Sequence, residues 1–156
     1  MSHQMDEPRF EEFGPLLIAG MGETYTDETS SGIPALWQRF VPHIGHIDGQ
    51  VGGITYGVLI PTGTAGRFEY VCGVEVSDAA ELPTGLTSHQ LGRQKYAVFE
   101  HSGYLSTLRE TWRLIYSKWL PTAGVRVAKA ARLEIYSASF NRNKPGGLAI
   151  WIPIAD

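Results

Sequence analysis

Glu134 is the lone carboxylate in an apolar and aromatic stretch, Leu133-Glu134-Ile135-Tyr136, preceded by Ala130-Ala131-Arg132. Strands disfavour glutamate, and a carboxylate withdrawn from water among aromatic rings needs a partner. An organic cation would supply one, since ring faces attract cations by up to about 2 kcal/mol where water is excluded. The bland readings are a solvent-facing strand position or a salt-bridge partner of Arg132, and residue types alone leave these open. The chain carries four Trp, seven Tyr and six Phe. Of these, Tyr56, Tyr104, Tyr136 and Trp151 fall on strands or a loop from which they would line a pocket around such a carboxylate.

Other chemistry is less well founded. His43 and His46 have a spacing that suits metal binding, but they sit in a glycine-containing loop with no evident third ligand, so no metal site is read there. Gly20-Met21-Gly22 follows an apolar run yet lacks the third glycine of a dinucleotide fingerprint. Cys72 lies mid-strand among apolar residues with no histidine nearby in sequence, which suits a buried small residue better than a nucleophile. As the single cysteine it excludes an intramolecular disulfide, and a reducing, cytoplasmic setting is expected. No Ser-His-Asp pattern, phosphate loop or cofactor-binding motif is present, and no cofactor is expected.

A length of 156 residues with 43% hydrophobic content suits one domain with a real core. No apolar run approaches the roughly 20 residues that cross a bilayer, and the polar start lacks a signal-peptide core, so no membrane role is expected. The net charge of −3 is unevenly placed: residues 1–78 hold three Lys/Arg against eleven Asp/Glu, and residues 79–156 hold ten against five. Such asymmetry can mark a nucleic-acid surface, but the basic residues are interspersed with apolar ones, so direct nucleic-acid binding is not expected.

The elements that would position Glu134 occur twice. Phe40-Val41-Pro42 and Trp119-Leu120-Pro121 end similar apolar stretches 79 residues apart, and Tyr56 and Tyr136 open similar strands 80 apart. In the first half, a strand over Leu16–Met21 precedes a helix that starts near Ser30/Ser31 with Pro34 just inside and stops at Pro42. Strands over Ile54–Ile60 and Arg67–Val76 follow. The second half repeats the order: Lys95–Glu100, a helix from about Ser106 to Leu120, then Leu133–Ser137 and Leu148–Ile154. Thr107 and Glu110 have capping-box spacing, and Leu108, Trp112, Ile115 and Trp119 follow one helical face, read as core. The expected fold is α+β: duplicated β-α-β-β units forming one mainly antiparallel, eight-stranded sheet with two main helices on one face. Alternation puts Leu148, Ile150, Ile152 and Ile154 on the helix side, with Leu133 and Ile135 on that same side. Glu134, Tyr136 and Trp151 are then expected to face away from the helices together.

The stretch Tyr96-Ala97-Val98-Phe99-Glu100-His101-Ser102-Gly103-Tyr104 carries a resemblance. With Thr111-Trp112, Ile115-Tyr116, Trp119-Leu120-Pro121, Leu133-Glu134-Ile135-Tyr136 and Ile150-Trp151-Ile152-Pro153-Ile154, it resembles the second half of the GyrI-like small-molecule-binding domains, also called the AraC-type effector-binding domain. Tyr56-Gly57 and Tyr70-Val71-Cys72-Gly73-Val74-Glu75-Val76 match the first half more loosely. The resemblance implies a concave sheet face that holds hydrophobic, cationic or aromatic compounds, with the family's pocket glutamate at Glu134, pocket aromatics at Tyr56 and Tyr104, and the last-strand tryptophan at Trp151. Residues 1–12 are expected to be an N-terminal tail and residues 13–156 the domain, in halves of about 13–78 and 90–156. The short segment before Phe13 has no room for a helix-turn-helix, so a stand-alone version is expected.

Three functions follow from this resemblance. The first is a protein that captures hydrophobic or cationic small molecules, with Glu134 as counter-ion. The second is a hydrolase of cyclopropane-bearing electrophiles, with Glu134 as general base and Trp151 orienting the substrate. The third is a regulator of a protein partner, either DNA gyrase or a transcription regulator. Fold resemblance alone does not choose among them.

Overall fold

The computed structural model describes residues 7–78 and 82–155. Its strands are β1 (Arg9–Phe13), β2 (Leu16–Thr26), β3 (Gln50–Pro61), β4 (Arg67–Val76), β5 (Thr87–Leu91), β6 (Gln94–His101), β7 (Arg126–Val127), β8 (Arg132–Tyr136) and β9 (Leu148–Ala155). Eight of them form one antiparallel sheet in the order β1-β6-β9-β8-β3-β4-β2-β5, and the short β7 pairs with the end of β9. The order reads the same from either end once the halves are exchanged. β3 and β8 meet at the centre, β2 and β6 lie symmetrically outside them, and each edge strand pairs with the other half, β1 with β6 and β5 with β2. The expected duplication is thus realised as two interlocked units. Residues 9–12, expected in a tail, lie in β1 with Arg9 opposite Val98 and Glu12 opposite Lys95, so the domain starts earlier than expected.

The helices α1 (Ile33–Phe40) and α2 (Leu108–Leu114) lie on one face of the sheet. Pro42 and Pro121 occupy equivalent places in the tight 3-10 turns that follow each helical segment, where a missing N–H costs nothing. After α2 the chain widens into a π-helical segment at Ile115–Trp119, a feature that often accompanies functional sites. The Thr107–Glu110 capping box does not form. Thr107 donates to the Tyr104 carbonyl at 2.9 Å, and Glu110 pairs with Arg113, the nearer cation one turn on.

The start of α2 is held to β6 through His101, which is 2% exposed. Its Nδ1 lies 2.7 Å from the Thr111 hydroxyl and its Nε2 lies 2.7 Å from the Tyr104 carbonyl. Replacing Thr111 with Val keeps the shape and removes one partner from a buried imidazole. The expected loss is about 1–2 kcal/mol, read from the urea midpoint.

Pairing across the sheet places Met21, Cys72, Gly57, Glu134, Ile150 and Phe99 side by side on the helix face, one per strand. The opposite face carries Val71, Val58, Leu133, Trp151 and Val98 in the adjacent row. No helix covers that face, yet these residues are buried, and Phe13 and Leu91 from the two edges pack onto them. The sheet therefore curls on itself, and its helix-free side is filled by its own side chains.

Candidate functional site

Glu134 lies on the helix face, which corrects the expectation that it turns away from α1 and α2. It is 8% exposed and sits where the two helix-covered core regions meet. Three donors converge on it. The Tyr70 hydroxyl donates to Oε1 at 2.7 Å, the Tyr136 hydroxyl to the same oxygen at 3.1 Å, and the Trp112 indole to Oε2 at 2.9 Å. Trp37 of α1 completes the set by donating its indole N–H to the Tyr70 oxygen at 3.0 Å, which directs the Tyr70 proton toward the carboxylate. Each helix thus supplies one tryptophan, one reaching the carboxylate directly and the other through Tyr70.

Three donors and no required acceptor suit an ionised carboxylate. Burial nevertheless pushes the Glu134 carboxyl above its ordinary range, while the bonds from Tyr70, Trp112 and Tyr136 pull it back. Burial and then the Glu134 charge hold the Tyr70 and Tyr136 hydroxyls well above the usual phenol range, so both stay protonated donors.

The neighbour of Glu134 in the row across the sheet is Gly57. A Cβ there would lie 2.2 Å from the Tyr70 hydroxyl and 2.8 Å from Glu134 Oε1. Absence of a side chain at this position is what lets the two groups lie over the strand and meet.

Of the five residues expected to form the site, Glu134 and Tyr136 come together. Tyr56 and Trp151 lie on the helix-free face, where Trp151 packs against Phe13 and Tyr96 at ring separations of 5.1 and 5.7 Å. Burial there pushes the Tyr56 hydroxyl up to about 12. Tyr104 is 50% exposed in the loop ahead of α2, and its backbone carbonyl serves His101. The Arg132 salt bridge does not form, since Arg132 reaches Tyr116 instead.

Tyr70, Trp37 and Trp112 are the partners that residue patterning missed. The available signal was the pair of tryptophans on helical faces, because a buried indole N–H almost always finds an acceptor. Outside Trp112 runs a shallow groove of about 560 Å³ lined by Asp27, Arg109, Trp112, Arg113, Tyr116 and Ser117. Trp112 thus both lines this groove and donates to the carboxylate. Around the inner pair, Trp37 meets Tyr136 edge-on at 5.5 Å, and Phe140 meets the Tyr136 ring at 4.9 Å. Among the described residues no three His, Cys, Asp or Glu side chains come together as metal ligands, and no helix is long and apolar enough to cross a membrane.

A curled, duplicated antiparallel sheet with a buried carboxylate among aromatics under two helices defines a small-molecule-binding domain of the effector-binding class. The chain matches the GyrI-like small molecule binding domain over residues 6–155 and belongs to that family. It is 32% identical over 124 residues to the transcriptional regulator BrlR of Pseudomonas aeruginosa, a match that covers 79% of this chain and 45% of BrlR. The chain thus spans less than half the length of that relative. Among solved structures it superposes on SAV2435 bound to tetraphenylphosphonium with a TM-score of 0.80 at 21% identity, over 96% of this chain and 94% of the other. It also superposes on EcmrR in a complex with DNA, with a TM-score of 0.67 at 13% identity, over 96% of this chain and 57% of EcmrR. At these identities the two structures establish the shared fold.

Proposed function

We propose that the chain binds hydrophobic, cationic aromatic compounds at Glu134, with the carboxylate as counter-ion and Trp37, Trp112, Tyr70 and Tyr136 as walls. The observation that carries this reading is a carboxyl group buried behind one groove-facing tryptophan and accepting from three donors, all of them neutral. A buried anion without a cation is costly and persists where it serves a ligand. Supporting this, SAV2435 shares the fold and binds tetraphenylphosphonium, a lipophilic aromatic cation. The ligand takes the place of the Trp112 indole at Oε2, and the displaced ring becomes part of the wall that stacks on it.

The test compares tetraphenylphosphonium with neutral triphenylphosphine oxide by quenching of tryptophan fluorescence in the wild type and in Glu134→Gln. Glutamine keeps the size of the side chain and removes its charge. The cation is expected to lose at least about tenfold in affinity, and the neutral compound to change by less than about threefold. Equal weakening of both would remove the counter-ion role.

A further inference from the structure

The aromatic series that begins at Glu134 continues outward and ends on a cation belonging to the protein itself. Trp112, bonded to Glu134, lies against Tyr116 one helical turn on, with ring centroids 6.4 Å apart and planes 12° from parallel. The guanidinium carbon of Arg132 lies 5.7 Å from the Tyr116 ring centroid, and Arg132 Nε donates to the Tyr116 hydroxyl. Arg132 and Glu134 are two residues apart on β8 and rise from the same face of the sheet. They are nevertheless not partners: the anion is bonded to Tyr70, Tyr136 and Trp112, and the cation sits on Tyr116. Two stacked rings separate the charges, and Trp112 and Tyr116 both line the groove outside the carboxylate.

We propose that Arg132 is a specificity-determining residue of this site, a resident cation that holds the outer aromatic surface and sets the threshold an incoming cation must exceed. The inference rests on the reading of Glu134 as a ligand counter-ion. Tyr116 is the more exposed of the two groove rings, and it already carries the Arg132 guanidinium. Guanidinium is planar, delocalised and weakly hydrated, so it is a strong competitor for a ring. A compact, tightly hydrated ammonium gains little by displacing it. A large aryl-substituted cation that sheds water cheaply and stacks on both rings gains more. Neutral aromatic ligands do not compete with Arg132 for charge and pass without that threshold.

Arg132→Met retains most of the apolar stem and removes the charge. In fluorescence titrations it is expected to bind tetraphenylphosphonium about fivefold more tightly than the wild type, the effect of removing one partly exposed cation–π competitor, while triphenylphosphine oxide changes by less than about twofold. Arg132→Lys, which replaces the guanidinium with a strongly hydrated ammonium that holds the ring less well, is expected to bind the cation with an affinity between those of the wild type and Arg132→Met and to leave the neutral compound within about twofold. Both variants are checked for cooperative thermal unfolding. Tightening of both compounds alike in Arg132→Met would show a steric latch and overturn the proposal, as would unchanged or weakened cation binding in Arg132→Met, or an Arg132→Lys variant that binds the cation more tightly than Arg132→Met does. The parallel Glu134→Gln titration separates the two ideas. If Glu134→Gln weakens the cation selectively and Arg132→Met does nothing, the Arg132 proposal fails and the Glu134 reading stands. If Glu134→Gln has no charge-selective effect, the underlying reading fails whatever Arg132→Met does.

Discussion

Gly57→Ala is expected to destabilise the fold by about 3 kcal/mol and to break the contact between Tyr70 and Glu134. In an ordinary strand the same change would be neutral or stabilising by up to about 1 kcal/mol, because alanine has less unfolded-state entropy to lose. Here the added methyl would lie 2.2 Å from the Tyr70 hydroxyl and 2.8 Å from Glu134 Oε1, inside van der Waals contact with both. Neither group can retreat freely, since Tyr70 also accepts from Trp37 and Glu134 also accepts from Trp112. The clash therefore outweighs the entropy gain. Tyr70→Phe supplies the control. It removes the nearest atom and two hydrogen bonds, at an expected cost of about 1–2 kcal/mol. In that background Gly57→Ala should cost at least about 1 kcal/mol less than in the wild type, with the remainder due to the ring carbon and carboxylate oxygen still at 2.8 Å. Urea midpoints of the four proteins form the cycle. Strict additivity would mean that Gly57 accommodates a methyl without moving Tyr70, and that the glycine has no part in seating the carboxylate.

What the residues revealed in advance, and what they did not, follows from the filled helix-free face. Alternation in β9 correctly assigned Leu148, Ile150, Ile152 and Ile154 to the helix side. Extending that logic to β8 failed, because it took apolar character as the mark of the helix side. Both faces of this sheet are buried, one under helices and one under its own curl, so Leu133 belongs to the opposite face from Ile150. The pairing of Leu133 with Trp151 and of Glu134 with Ile150 settles the register, and a slip of one residue exchanges every side. The prolines after the helices are 79 residues apart, and Tyr56 and Tyr136 are 80 apart. Near-equal spacing did not make the two tyrosines equivalent, since Tyr56 lies on the opposite face to Tyr136. The fold was legible from order and spacing. Of the cluster proposed as the site, Glu134 and Tyr136 were legible but Tyr70, Trp37 and Trp112 were not, because their places depend on two helices meeting over the centre of the sheet.

The affinity for a cation and the stability of the empty protein are expected to move in opposite directions with pH, and Glu134 is the cause of both. Burial raises its folded-state carboxyl above the ordinary range, so the folded protein holds this proton more tightly than the unfolded chain does. The stabilising effect of protonation is fully present below the unfolded value and is lost as pH rises through the folded value, so the empty protein gains from Glu134 as pH falls through that window. A bound cation favours the ionised form and lowers the same pKa. Its Kd is therefore flat above the raised value, rises by up to about tenfold per pH unit below it, and levels off below the pKa of the complex. Acidification inside that window weakens tetraphenylphosphonium progressively, by no more than about tenfold per pH unit. Glu134→Gln removes the titrating group, so its Kd should be pH-independent over the same range. The difference in melting temperature between wild type and variant should shift toward the wild type as pH falls. Titrations of both proteins from neutral to acidic pH, paired with melting curves without ligand, read the two effects separately. Parallel pH profiles for wild type and Glu134→Gln would show that Glu134 does not titrate on binding and that the cation has another counter-charge.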